Sequence, residues 1–107
     1  MTGTDGKAVR DRIPELIKAA GGRCVVHELS DDDLLVAMDA KLTEEYGEYI
    51  ESKSVEELVD IVDVAYRIAE LRGLDRERFE GLRAEKNTAR GSFRRNLFSV
   101  LITDPES

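Results

Sequence analysis

The chain has 107 residues, 23 acidic side chains against 16 Lys and Arg, a formal net charge of −7 and a hydrophobic share of 41%. That length suits one domain with a modest core, expected here as a single unit over 1–107 with its ordered part at about 7–102. The acidic balance argues against nucleic acid as a partner. No run of about 18 apolar residues marks a membrane span, and no leader pattern opens the chain, so a cytoplasmic protein is expected.

Cys24 has no second cysteine to pair with, and His27 is the only histidine. Thiolate and imidazole-rich metal sites are thereby excluded. A metal ion could be held only by oxygen, which means a hard cation such as Mg²⁺ or Mn²⁺. The charge is also polarised: residues 28–63 carry 13 acids against Lys41 and Lys53, whereas 64–95 carry 9 Arg or Lys against 5 acids. Such a division suits a metal-chelated polyphosphate, and it equally suits complementary helix faces.

In chain order, Lys7–Ala20 reads as a short helix with Ile13, Leu16, Ile17 and Ala20 on one side and Pro14 in its first turn. Gly21 and Gly22 end it. RCVVHEL (23–29) is β-biased, a candidate strand. Ser30 followed by three Asp is a strong helix start, and Leu35, Met38, Leu42 and Tyr49 then repeat at coiled-coil-like spacing to about Ser52.

After a tight turn at Ser52–Lys53–Ser54, a third helix runs to Arg72, before Gly73. Asp75 caps a fourth, ending near Arg90, with Phe79 and Leu82 turned inward. NLFSVLI (96–102) is a second candidate strand, able to pair with 23–29 in a small ribbon. The termini, MTGTDG and TDPES, read as short frayed tails. The fold class is therefore mainly α: a four-helix bundle core with a candidate two-stranded β ribbon.

The stretch SVEELVDIVDVAY (54–66) is unusual because acids interrupt its apolar face. At about 100° per residue, Ile61, Val64, Ile68 and Leu71 all lie within about 40° of Glu57, and Asp60 is about 60° away. On the preceding helix, Leu34, Met38, Leu42 and Tyr49 surround Glu45 within about 60°, and Glu48 lies about 60° off. Two antiparallel helices thus each direct an acidic i,i+3 pair at their common interface. Four such carboxylates need a cation between them to stay ionised, and a divalent ion is expected rather than a basic side chain.

The alternative for Glu57 alone is a capping box, Ser54-x-x-Glu57. Glu44, Glu51 and Asp63 read as solvated helix-face acids. Asp63, about 120° from Glu57, could also stand behind the metal ligands. Gly47 costs its helix about 1 kcal/mol relative to Ala, or makes room for a close neighbour.

EEYGE (Glu44, Glu45, Glu48) followed by ELVD (Glu57, Asp60) resembles the E-E-x-x-E … E-x-x-D signature of the all-α nucleoside triphosphate pyrophosphohydrolases, the MazG-like superfamily. KAVRDRIPELI (7–17) looks like the opening of a small single-domain branch, and RAEKNTARGSFRR (83–95) is similar to its closing segment. Only 8 residues separate Glu48 from Glu57, fewer than in the family's usual hairpin.

The resemblance implies Mg²⁺-dependent cleavage of a nucleoside triphosphate between the α and β phosphates, with Mn²⁺ as a substitute ion. Glu45, Glu48, Glu57 and Asp60 would be the metal ligands. Glu44 would be a further ligand or would help to deprotonate the attacking water. Lys86 and Arg90 would neutralise phosphate, and Asn87 would bond the nucleotide. Lys7, Arg10 and Arg12 could also reach phosphates. A homo-oligomer, most simply a dimer, is expected from the apolar faces of the second and third helices. Two other readings remain: a non-catalytic helical oligomerisation or nucleotide-sensing module, and a phosphoribosyl-ATP pyrophosphohydrolase-like activity.

Overall fold

In the computed structural model, which describes residues 6–103, four helices follow one another: α1 (Ile13–Ala19), α2 (Asp31–Ser52), α3 (Val55–Leu71) and α4 (Arg76–Arg90). The protein is mainly α, with an antiparallel α2–α3 hairpin at its centre.

Each long helix begins where its sequence supplies a cap. The Ser30 side chain accepts the Asp33 N–H, and three Asp occupy the first turn of α2. Ser54 accepts from Glu56 at the start of α3, and Asp75 accepts from Arg78 at the start of α4. Each such cap contributes about 1 kcal/mol. The hairpin turns at Lys53, whose backbone is left-handed at φ 58° and whose N–H returns to the Tyr49 carbonyl at 2.7 Å.

That turn fixes the register. Glu48 lies five residues before Lys53 and Glu57 four after it, and Glu45 lies eight before and Asp60 seven after. Positions nearly equidistant from the turn meet because both helices rise equally per residue. The short connection therefore brings the two acidic pairs together.

Two expectations are corrected. The first helix does not start at Lys7: residues 7–10 are irregular, Asp11 and Arg12 form a turn, and α1 begins at Ile13. A helix from Lys7 would bury Pro14 in its interior, where the ring clashes with the carbonyl four residues back. The expected β ribbon is also absent, since no strand forms among the described residues and both 23–29 and 96–102 run as coil. Two short segments without a third strand or a packed face make a marginal ribbon, and Val25, Leu97, Phe98 and Val100 stay exposed. The frayed-tail expectation falls largely outside the described residues.

The core of one chain is small. Among the described residues only Val64 (6% exposed) and Glu45 (4%) are buried. The α4 helix packs on α3 through an edge-on Tyr66–Phe79 pair with ring centroids 5.4 Å apart, reinforced by Arg76 over the Tyr66 ring. Phe79 is half-buried as expected, whereas Leu82 remains 53% exposed. Tyr66, which carries this contact, lies about 180° around α3 from Glu57.

Candidate functional site

The acids of α2 and α3 converge. Glu45, Glu57 and Asp60 each offer a carboxylate oxygen, all within 4.8 Å of one another, and Glu44, Glu45 and Glu48 form a second such group. Glu45 belongs to both. Two groups sharing one carboxylate could hold one divalent cation or a bridged pair, because oxygen donors are the ligands such ions require.

Two oxygens decide the character of the cluster. Glu45 Oε2 and Glu57 Oε2 are both out of reach of water and have no hydrogen-bond partner. A buried carboxylate oxygen without a partner costs free energy. The capping box does not explain Glu57: the Ser54 N–H donates instead to Ser52 Oγ. Burial, then the neighbouring Glu48 and Glu45 carboxylates, push the Glu57 carboxyl up from its ordinary 4.5 to about 7.

Basic side chains neutralise the remaining acids in part. Lys41 Nζ lies 3.0 Å from Glu44 Oε2 and 3.1 Å from Glu45 Oε1. Lys7 approaches Glu44 at 3.5 Å. The Arg10 guanidinium bridges Asp60 at 2.6 Å and Asp63 at 2.9 Å. The expectation of a divalent ion rather than a basic side chain is thus corrected for Asp60, which Arg10 pairs, and Asp63, Glu44 and one oxygen of Glu45 have basic partners as well. Six carboxylates (Glu44, Glu45, Glu48, Glu57, Asp60, Asp63) meet three cations.

The local pKa values follow this pairing. Burial pushes the Glu44 carboxyl up, but Lys41 and Lys7 outweigh it and hold the group below its ordinary range. Burial likewise works against the Lys41 ammonium, and Glu44 and Glu45 outweigh it to raise its pKa. Hydrogen bonds to Asp60, then Asp63, raise the Arg10 pKa.

A cleft of about 270 Å³ opens beside Glu45 and Asp60, walled also by Lys7, Arg10, Lys41 and Asp63 and by apolar residues such as Ile13 and Met38; Glu44, Glu48 and Glu57 do not line it. A second groove, about 620 Å³, lies on another side and is apolar, with Leu42, Ala65, Ala69, Leu74 and Phe79 among its walls. Lys86 lines this second groove, and Asn87 and Arg90 are exposed on the same helix. One chain thus gathers Glu44, Glu45, Glu48, Glu57 and Asp60, while Lys86 lines a different groove.

The role of Lys41 is new relative to the sequence reading. It sits three residues before Glu44 and four before Glu45, so helical spacing alone was the available signal.

No family model matches the chain, and no solved structure matches it. A protein of Mycolicibacterium smegmatis (strain ATCC 700084 / mc(2)155), described as uncharacterized, is 60% identical over 40 residues, 37% of this chain. The match spans about two-fifths (41%) of that relative's length.

Proposed function

We propose that the protein is a Mg²⁺-dependent nucleoside triphosphate pyrophosphohydrolase of the MazG-like type, releasing a nucleoside monophosphate and pyrophosphate. The observation that carries this reading is the pair of buried, unpartnered oxygens of Glu45 and Glu57, contributed by two helices to one group with Asp60. Their chemistry fits a hard cation.

A divalent cation bound there would neutralise phosphate oxygens and acidify a water molecule. Glu45, Glu57 and Asp60 would hold it, with Glu48 beside them. Lys41 engages Glu45 Oε1 and leaves Oε2 without a partner, so that Oε2 would be the oxygen available to a cation. The depressed pKa of Glu44 makes it a weak proton acceptor, which supports the ligand role over the base role.

Self-association belongs to the same proposal. The accessible surface is 9599 Å², against about 6,000 Å² for a compact monomer of this mass. The radius of gyration is 18.1 Å, where about 13 Å is usual. Tyr46, Ile50, Val55, Leu58, Val59 and Val62 are exposed at the turn end of the hairpin. A second copy covering such surface is the simplest remedy. It is also the route by which Lys86, Asn87 and Arg90 would reach an acidic cluster, that of the partner.

The test is a panel of natural and damaged nucleoside triphosphates, with phosphoribosyl-ATP included, assayed for pyrophosphate release with Mg²⁺. At least one should be turned over, and Glu57→Gln should abolish the reaction while helicity is retained. The three basic residues already paired with the acids favour a second reading, a non-catalytic oligomerisation or nucleotide-sensing module. Silence across the whole panel would establish that reading instead.

A further inference from the structure

Arg10 reaches across 50 residues of sequence to join two acids one turn apart on α3. Only one of them, Asp60, belongs to the group able to hold a metal; Asp63 does not. A divalent cation and the Arg10 guanidinium would therefore contend for the same carboxylate, and two positive groups on one carboxylate repel.

Three further observations bear on what Arg10 does once Asp60 is taken. Asp63 lies off the cluster and remains a tether, keeping the guanidinium at the rim of the cleft. The side chain is 53% exposed, and residues 7–10, in no helix, leave it room to turn. Of the basic residues walling the cleft, Lys41 is committed to Glu44 and Glu45 and largely enclosed, whereas Lys7 and Arg10 lie outermost. No basic residue of α4 lines this cleft; Arg83 and Lys86 line the other groove.

We propose that Arg10 is a phosphate-binding residue held by Asp60 and Asp63, and that a divalent cation taking Asp60 turns its guanidinium toward the polyphosphate. The proposal rests on the reading of the cluster as a cation site. A guanidinium suits the task because its planar fork offers five N–H donors, matched to phosphate oxygens. Only part of that fork is engaged by the two acids. One carboxylate then serves two ligands in turn, and cation binding prepares the anion site.

The test uses the full-length protein and two probes. Mn²⁺ alone is titrated by electron paramagnetic resonance, and inorganic pyrophosphate is titrated calorimetrically in saturating Mg²⁺. Arg10→Gln removes the competitor, so Mn²⁺ should bind about two- to fivefold tighter, the range supplied by an exposed charge pair. The same substitution should weaken pyrophosphate about tenfold, as loss of a charge-assisted hydrogen bond does. Arg10→Lys, which keeps the charge without the fork, should leave Mn²⁺ near wild type and lose part of the pyrophosphate affinity. A purely structural role would not move the two affinities in opposite directions.

If Arg10→Gln does not fold, the Arg10→Lys comparison decides: unchanged pyrophosphate affinity overturns the proposal. Wild-type Mn²⁺ binding that Glu57→Gln abolishes, with no tightening in Arg10→Gln, overturns the role of Arg10 and leaves the cation site standing. Absence of Mn²⁺ binding in the wild type overturns both.

Discussion

Replacing Lys41 by Met tests whether Glu45 is held charged in the interior. The ammonium group contacts Glu44 at 3.0 Å and Glu45 at 3.1 Å, and its side chain is only 15% exposed. Without it, neither Glu45 oxygen has a partner, because Oε2 has none already. Leaving a buried carboxylate uncompensated costs about 3–5 kcal/mol. Glu44 is half-buried and retains Lys7, so it contributes little, and the cleft admits some water. The lower end, about 3 kcal/mol, is expected.

For a chain of this length about 1 kcal/mol shifts the melting temperature by roughly 4–8 °C, so the loss should exceed about 12 °C in chelator. The assay is thermal and urea unfolding followed by circular dichroism at one fixed protomer concentration, since association would shift the apparent stability. Added Mg²⁺ should restore the Lys41→Met variant more than it stabilises the wild type. The double variant Lys41→Met/Glu45→Gln should recover more than half the loss. A cost below about 1 kcal/mol, or a double variant no more stable than the single one, would refute a charged, Lys41-compensated Glu45.

Three further outcomes are expected. In chelator, the Glu57 carboxyl at about 7 binds its proton more tightly in the folded than in the unfolded chain. Its contribution is greatest below its ordinary 4.5 and is lost as pH rises to about 7. Wild-type stability should therefore fall across that window relative to Glu57→Gln, and parallel unfolding curves would count against the raised pKa. Val62→Glu, on the exposed hairpin face, should convert a dimer to monomer in sedimentation while helicity persists; a wild type sedimenting only at 12.0 kDa contradicts the dimer. A Cβ at Gly47 would meet nothing within 4 Å, so Gly47→Ala should raise the unfolding free energy by about 1 kcal/mol. A loss instead would mean that a second copy packs there.

The helices were legible because their ends are written in single residues: Ser30, Ser54 and Asp75 as caps, Gly73 and Gly91 just beyond the ends of α3 and α4. The convergence of Glu45 with Glu57 was legible too, because helical phase and a three-residue turn leave little freedom of register. Three features were not. The start of α1 at Ile13 rather than Lys7 depends on Pro14, whose place in a first turn competes with the helix-forming residues before it. The apolar composition of 96–102 does not specify a strand, since pairing depends on partners that sequence alone does not supply. Arg10 meeting Asp60 is a contact between distant segments, invisible to any periodicity. Lys86 lines the apolar groove with Leu42, Ile68 and Phe79 rather than the cleft beside Glu45 and Asp60, a placement that residue spacing alone does not specify.

The central claim is that Glu45, Glu57 and Asp60 hold a cation for cleavage between the α and β phosphates. Its most direct test is phosphorus NMR of a turned-over nucleoside triphosphate in Mg²⁺, with the wild type and Glu57→Gln side by side. Equal growth of nucleoside monophosphate and pyrophosphate signals is expected in the wild type, with neither in the variant nor after chelation. Nucleoside diphosphate with inorganic phosphate, or pyrophosphate release that survives Glu57→Gln, would contradict it.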